Sequence, residues 1–390
     1  MPNTHRHIHA QWWTTWGFWL RVLALSLLSS PVLCAQERFS LPAPLRLRTF
    51  AQQPVEQPTT AALLPQELPA PLVEAPLEPE ASVVVPPVPL RNVTESVTQP
   101  WSVGDACAPN YWIVSSRCSI QNIHDCGRWG LDAYHRQPDG QMQREEVARL
   151  AAQLTPGIPV CIFVHGSFVK WESQCREAEQ AYRAIRKNCP GMPVQMIFYT
   201  WPSDGPYTYL LPLDVAVRGE RADFNGFHLN WLISQLPPEC PVCLIGHSHG
   251  TRAVLSTLHL AAGGEIQGHR FALPNPPRRY RAILAAAAMD NEWLNPGQQY
   301  DCALSATECL LHLRNRCDLP LALYPLSRPF AGRALARAGF TRRDVRKLGP
   351  QAEKIRECDV TAYLGHDHLW PDYFSEVDIV SLMSPYIYFQ

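Results

Sequence analysis

Val242-Cys243-Leu244-Ile245, then Gly246-His247-Ser248-His249-Gly250, then an apolar stretch over residues 251–262, is the segment on which the fold turns. Four consecutive apolar residues read as a strand buried on both faces, the pattern of an interior parallel strand. The stretch over 251–262 ends at Gly263-Gly264 and reads as a helix. Between them lies G-x-S-x-G, which asks the chain to turn sharply from strand to helix. Such a turn lifts the serine hydroxyl to the edge of a sheet, and glycines on either side remove Cβ atoms that would collide with neighbouring strands. The amides opening the next helix then favour negative charge.

Outward from this core the alternation continues. Val160-Cys161-Ile162-Phe163-Val164 is a second apolar run, ending at His165-Gly166. Trp171, Cys175, Ala178, Tyr182 and Ile185 recur at helical spacing. Further strands are expected over 194–199, 282–287, 310–313 and, weakly, 354–360, with 111–114 as an outer strand. Phe224, Phe227, Trp231 and Leu232 mark another helix, stopped by Pro237-Pro238. Strand alternating with helix predicts an α/β class fold, a mostly parallel doubly wound sheet with helices on both faces. In such sheets chemistry gathers at the carboxyl ends of the strands.

Ser248 is therefore the candidate nucleophile, and a serine hydroxyl needs a base oriented by a third group. Late in the chain, Gly365-His366-Asp367-His368 offers two imidazoles. His366 is preferred because Gly365 frees the loop to turn towards the serine, with His368 the alternative. Asp318 and Asp290 follow the fifth and fourth strands; Asp318 is preferred for the acid, Asp290 the alternative. The oxyanion that attack creates needs N–H donors: the amide of His249 just after the nucleophile, and that of Ser167, with Phe168 next, from the loop after 160–164. Trp201 and Tyr207 are candidates for substrate contact. His247 and His249 flank the serine without a third ligand at metal spacing, so neither metal nor cofactor is expected.

These blocks resemble an uncharacterised branch of the α/β-hydrolase superfamily, a domain of unknown function. The resemblance rests on Val164-His165-Gly166, Tyr199-Thr200-Trp201-Pro202-Ser203-Asp204-Gly205, Gly246-His247-Ser248-His249-Gly250-Thr251-Arg252, Asn315-Arg316-Cys317-Asp318-Leu319-Pro320-Leu321 and Gly365-His366, over roughly half the chain. It implies an α/β-hydrolase fold with Ser248 as nucleophile, Asp318 as acid and His366 as base. One departure is His249, where the family usually carries Met or a small residue. The resemblance implies no substrate.

The remaining sequence frames this body. Of 37 prolines, 13 fall within residues 36–100, which contain no glycine; this stretch reads as a proline-rich disordered linker. Residues 1–35, with a short apolar run over 22–28, read as a signal peptide or an uncleaved anchor. Residues 101–390 are the hydrolase domain. Lys and Arg number 34 against 35 Asp and Glu, and the domain itself is neutral, which argues against nucleic acid as a partner. Export permits disulfides: Cys107, Cys118 and Cys126 sit in loop-like sequence, whereas Cys161 and Cys243 read as buried thiols. Together these features predict an exported serine hydrolase (periplasmic, secreted or membrane-tethered through the N-terminal apolar segment) acting on a small-molecule or lipid-like ester, thioester or amide. A non-catalytic binding module on the same fold and an acyltransferase are the alternatives.

Overall fold

Nine strands hydrogen-bond into one sheet in the order β3-β2-β1-β5-β4-β6-β7-β8-β9. The computed structural model describes residues 109–208, 211–271, 278–327 and 331–390; the expected signal segment, the proline-rich linker and Cys107 lie outside them. The strands are β1 (Trp112–Ser115), β2 (Asp132–Arg136), β3 (Met142–Glu145), β4 (Val160–Val164), β5 (Gln195–Thr200), β6 (Val242–His247), β7 (Tyr280–Ala285), β8 (Thr307–Arg314) and β9 (Ile355–Asp359). From β1 through β9 every neighbouring pair is parallel; β2 and β3 form an antiparallel hairpin on the β1 side. This is the mostly parallel α/β sheet expected from the alternation of elements.

Burial follows the residue pattern. All five residues of β4 and all six of β6 are buried, as continuous apolar runs at the centre of a parallel sheet must be. The edge strands β3 (Met-Gln-Arg-Glu) and β9 (Ile-Arg-Glu-Cys-Asp) carry charges and are partly exposed, which discourages pairing with another chain. That polarity also hides the β2–β3 hairpin from a reading based on apolar runs. Because the hairpin covers β1, the strand expected to be outermost is interior, between β2 and β5.

Helices cover both faces in two packed groups: α1 (Val147–Gln153), α3 (Leu211–Gln235) and α4 (Gly250–Ala261) form one, and α2 (Trp171–Asn188), α5 (Trp370–Ser375) and α6 (Val377–Ile387) the other. Residues 250–260 of α4 are buried throughout. No helix among the described residues is long and apolar enough to cross a membrane. α3 is far longer than its four aromatic and leucine markers indicate, because ahead of those markers it buries Asp214, Arg218 and Asp223 rather than an apolar stripe. Asn225 there accepts hydrogen bonds from Ser116 (2.6 Å) and Tyr199 (2.6 Å) and donates to Gln121 (2.9 Å).

The chain leaves β4 towards β5 and then crosses back to place β6 on the other side of β4. The carboxyl ends of β4 and β6, aligned at Val164 and Gly246, thus flank the point where strand order reverses. A crevice outside the sheet opens at such a point.

Cys118 and Cys126, expected as bridge candidates, are exposed free thiols, while Cys161 and Cys243 are buried and face each other across β4 and β6.

Candidate active site

Ser248 follows the last residue of β6 with φ of +52°, a left-handed conformation that a non-glycine residue adopts only under constraint. The constraint is visible on both sides. Its amide donates to the Ala285 carbonyl at the end of β7 (3.0 Å), and its own carbonyl accepts from Thr251 (3.1 Å) in α4. A Cβ on Gly250 would stand 2.2 Å from the Val164 carbonyl oxygen on the neighbouring strand. A Cβ on Gly246 would meet Thr251 Cα at 2.6 Å, so this glycine clears the turn's own helix rather than a strand.

The imidazole that reaches the serine is that of His368. Its Nε2 lies 3.2 Å from Ser248 Oγ, and its Nδ1 lies 2.7 Å from Asp318 Oδ2. Asp318 is fully buried at the start of a short helix, Leu319–Ala322, and its other carboxylate oxygen accepts from the Leu321 amide at 3.0 Å. One carboxylate thus caps a helix and holds an imidazole, so its orientation is set from two directions.

His366, preferred as the base, points elsewhere: its Nδ1 lies 3.1 Å from the Cys317 carbonyl, and the residue is exposed. Gly365 (φ +55°) is spent in ending the short helix Thr361–Leu364, and the Asp367 amide closes a turn onto the Leu364 carbonyl at 2.9 Å. The chain is still turning at His366 and first faces the sheet at His368. Asp290 is also displaced from the site: it accepts from the Tyr324 hydroxyl at 2.9 Å.

Two amides stand beside Ser248 with no acceptor in the protein among the described residues, those of His249 and Ser167. The Phe168 amide, the third donor candidate, donates instead to the Ser203 carbonyl at 2.7 Å, with Phe168 at φ +65°. It is unavailable to an oxyanion. His165 stiffens this loop. It is fully buried, its Nδ1 lies 2.8 Å from the Gly166 carbonyl, and its Nε2 lies 2.8 Å from Thr200 Oγ1. Burial first, then the Arg117 charge, push its pKa down to about 3, so it is a neutral structural ring. Trp201, a candidate for substrate contact, is fully buried and donates its indole N–H to the His165 carbonyl at 2.9 Å. Tyr207 hydrogen-bonds the Pro202 carbonyl.

Charged pairs lie behind the site that no sequence motif announces. Arg252, in the first turn of α4, holds Asp223 at 2.9 Å, and Tyr300 donates to the same carboxylate at 2.5 Å. Arg218 pairs with Asp214 at 2.6 Å. Burial, followed by the Arg252 and Arg218 charges, holds His249 neutral, its pKa well below the ordinary range. Spacing of Asp214 and Arg218 at i, i+4 was the one available hint.

A separate trio of ligand-type side chains meets at the far end of α4. His259 Nδ1 lies 3.6 Å from Asp301 Oδ1, which accepts from the Cys302 thiol at 3.3 Å. The Glu265 amide points at His259 Nε2 (3.1 Å) and the Cys302 amide at Nδ1 (3.2 Å). A neutral imidazole has a single acceptor nitrogen. A metal on Nδ1 would leave a protonated Nε2 against the Glu265 amide, so the ring is poorly set for a ligand role.

No protein-family model matches the chain, and no curated protein does. Two solved structures are similar in part: an iodinated complex of acetyl xylan esterase, at 14% identity and a TM-score of 0.28, and an acetylxylan esterase at 0.90 Å resolution, at 16% and 0.31. Each comparison covers 60% of this chain and 98% of the other.

Proposed function

We propose that the chain is an exported serine hydrolase that cleaves a small or lipid-like ester, thioester or amide through an acyl-enzyme. The observation that carries this reading is the unbroken contact series Asp318 Oδ2 to His368 Nδ1 (2.7 Å) and His368 Nε2 to Ser248 Oγ (3.2 Å) at the carboxyl end of the sheet. Ser248 Oγ attacks the substrate carbonyl carbon while its proton passes to His368 Nε2. Asp318 stabilises the imidazolium so formed. The carbonyl oxygen becomes an oxyanion facing the amides of His249 and Ser167, a contribution worth about 10²–10³ in rate per donor. Collapse breaks the bond to the leaving group, which takes the proton from His368. Water then attacks the acyl-serine with His368 as base, releasing the acid and restoring the serine.

A non-catalytic module on this fold would tolerate a base without a carboxylate, and the 2.7 Å contact between His368 and Asp318 supports catalysis over binding alone. The apolar run at residues 22–28 and the proline-rich stretch behind it support export. The test is labelling by a fluorophosphonate, which bonds to an activated serine. The folded chain should react and Ser248→Ala should not. Absence of labelling in folded protein would overturn the reading, and competing alcohols in the product assay would reveal acyl transfer.

A further inference from the structure

Three consecutive carbonyls carry the loop that presents the base, and each accepts one hydrogen bond. The His366 carbonyl takes the Leu319 amide at 3.4 Å and the Asp367 carbonyl takes the Asn315 side-chain amide at 3.0 Å. Both donors belong to the segment after β8 that holds Asp318, so they fix the base relative to the acid. The third carbonyl, that of His368 itself, accepts from Nε2 of His247 at 2.6 Å, the shortest of the three. His247 is the last residue of β6 and the immediate neighbour of Ser248. Of the three bonds, only this one ties the base loop to the nucleophile.

The His247 ring is built into the site rather than exposed to solvent or substrate. It is buried, with centroids 5.1 Å from the His368 ring, 5.3 Å from Trp370 and 6.0 Å from Tyr373. A carbonyl only accepts, so Nε2 carries the ring's proton. Burial, reinforced by the neighbouring His368, holds the ring neutral, well below the usual histidine range. A charged ring there would repel the imidazolium that His368 must become.

We infer that His247 is a positioning residue for the proposed hydrolase: its Nε2–H, bonded to the His368 carbonyl, sets the distance at which the base meets Ser248. The inference rests on the hydrolase reading and adds a residue to it. Nucleophile and base lie 120 positions apart in the chain. The Ser248–His368 contact, at 3.2 Å, is longer than the His368–Asp318 contact at 2.7 Å. It is the one that a shift of the loop would lengthen first.

The test compares His247→Phe, which fills the ring space without a donor, with His247→Gln, which keeps an N–H donor. With folding verified by circular dichroism and thermal melting, His247→Phe should lower kcat and the fluorophosphonate labelling rate by about 10- to 100-fold, with KM changed less than about 3-fold. His247→Gln should recover much of that loss. Equal rates in His247→Phe and wild type, or equal losses in both variants, would overturn the inference while leaving the hydrolase reading intact. A wild-type chain that never labels would remove both. If His247→Phe does not fold, ¹⁵N NMR of the wild-type ring decides. A neutral ring protonated at Nε2 at the pH of activity is expected, and a ring protonated at Nδ1 would refute the contact.

Discussion

The Ser167 hydroxyl lies 2.7 Å from Nδ1 of His249. These two residues carry the unengaged amides beside Ser248, one on the loop after β4 and one at the start of α4. Their side chains therefore tie together the two walls of the candidate oxyanion hole. Ser167→Ala keeps the amide and removes the tie, so kcat should fall by about 10-fold, less than the 10²–10³ expected for loss of a donor itself. His249→Ala should cost a similar factor. Because both changes break one bond, the double variant should be little worse than either single one, a non-additivity that a double-mutant cycle measures directly.

The two late histidines make opposite predictions. His368→Ala should abolish fluorophosphonate labelling and lower kcat by about 10³-fold or more, because among the described residues no other base hydrogen-bonds the serine hydroxyl. His366→Ala should stay within about 3-fold of wild type, since its ring hydrogen-bonds the Cys317 carbonyl and not Ser248 among the described residues. The reverse ranking would mean that the loop rearranges around substrate.

Asp318 and Asp290 separate in the same way. Asp318→Asn retains an N-cap, because Asn caps as well as Asp. The fold should therefore persist while kcat falls by about 10⁴-fold, from a mis-set imidazole. Asp290→Asn alters the contact with Tyr324 and should act on stability, with kcat near wild type. Thermal melting alongside steady-state kinetics distinguishes the two.

Stability should decline in mild acid. His228 is buried against Trp129, and burial pushes its pKa down to about 4; His165 is pushed down to about 3. Unfolded, both rings titrate near 6.5. Between the folded and unfolded values the unfolded chain binds more protons, so stability is complete above about pH 6.5 and is lost as pH falls towards 4. Each ring steepens the slope by up to about 1.4 kcal/mol per pH unit over that window. His228→Phe should flatten the urea-unfolding free energy between pH 6.5 and 4 relative to wild type; an unchanged slope would assign the acid lability to other groups.

Strand-to-helix alternation was legible because β4, β6 and the core of β8 are apolar runs, and burial on both faces of a parallel sheet demands that composition. The β2–β3 hairpin was not, since an edge strand such as Met142–Glu145 gains by being polar. The length of α3 was hidden for a related reason. Asp223, Asn225 and Asn230 are buried on it, satisfied by partners distant in sequence that no periodicity reveals, while Asp214 and Arg218 are buried as an i, i+4 pair.

The sequence by itself determined the nature of the turn at Ser248, because G-x-S-x-G between an apolar strand and a helix has few other ways to fold. It also limited the acid and base to two aspartates and two histidines. Which of each pair stands in contact with the other and with Ser248 was decided only in three dimensions. His366 and His368 differ by two positions, and whether Gly365 swings the loop or ends a helix depends on packing against residues some 50 to 120 positions away. Local sequence encodes turns and periodicity; the direction of a side chain at the end of a loop is set by the surfaces that the rest of the chain brings beside it.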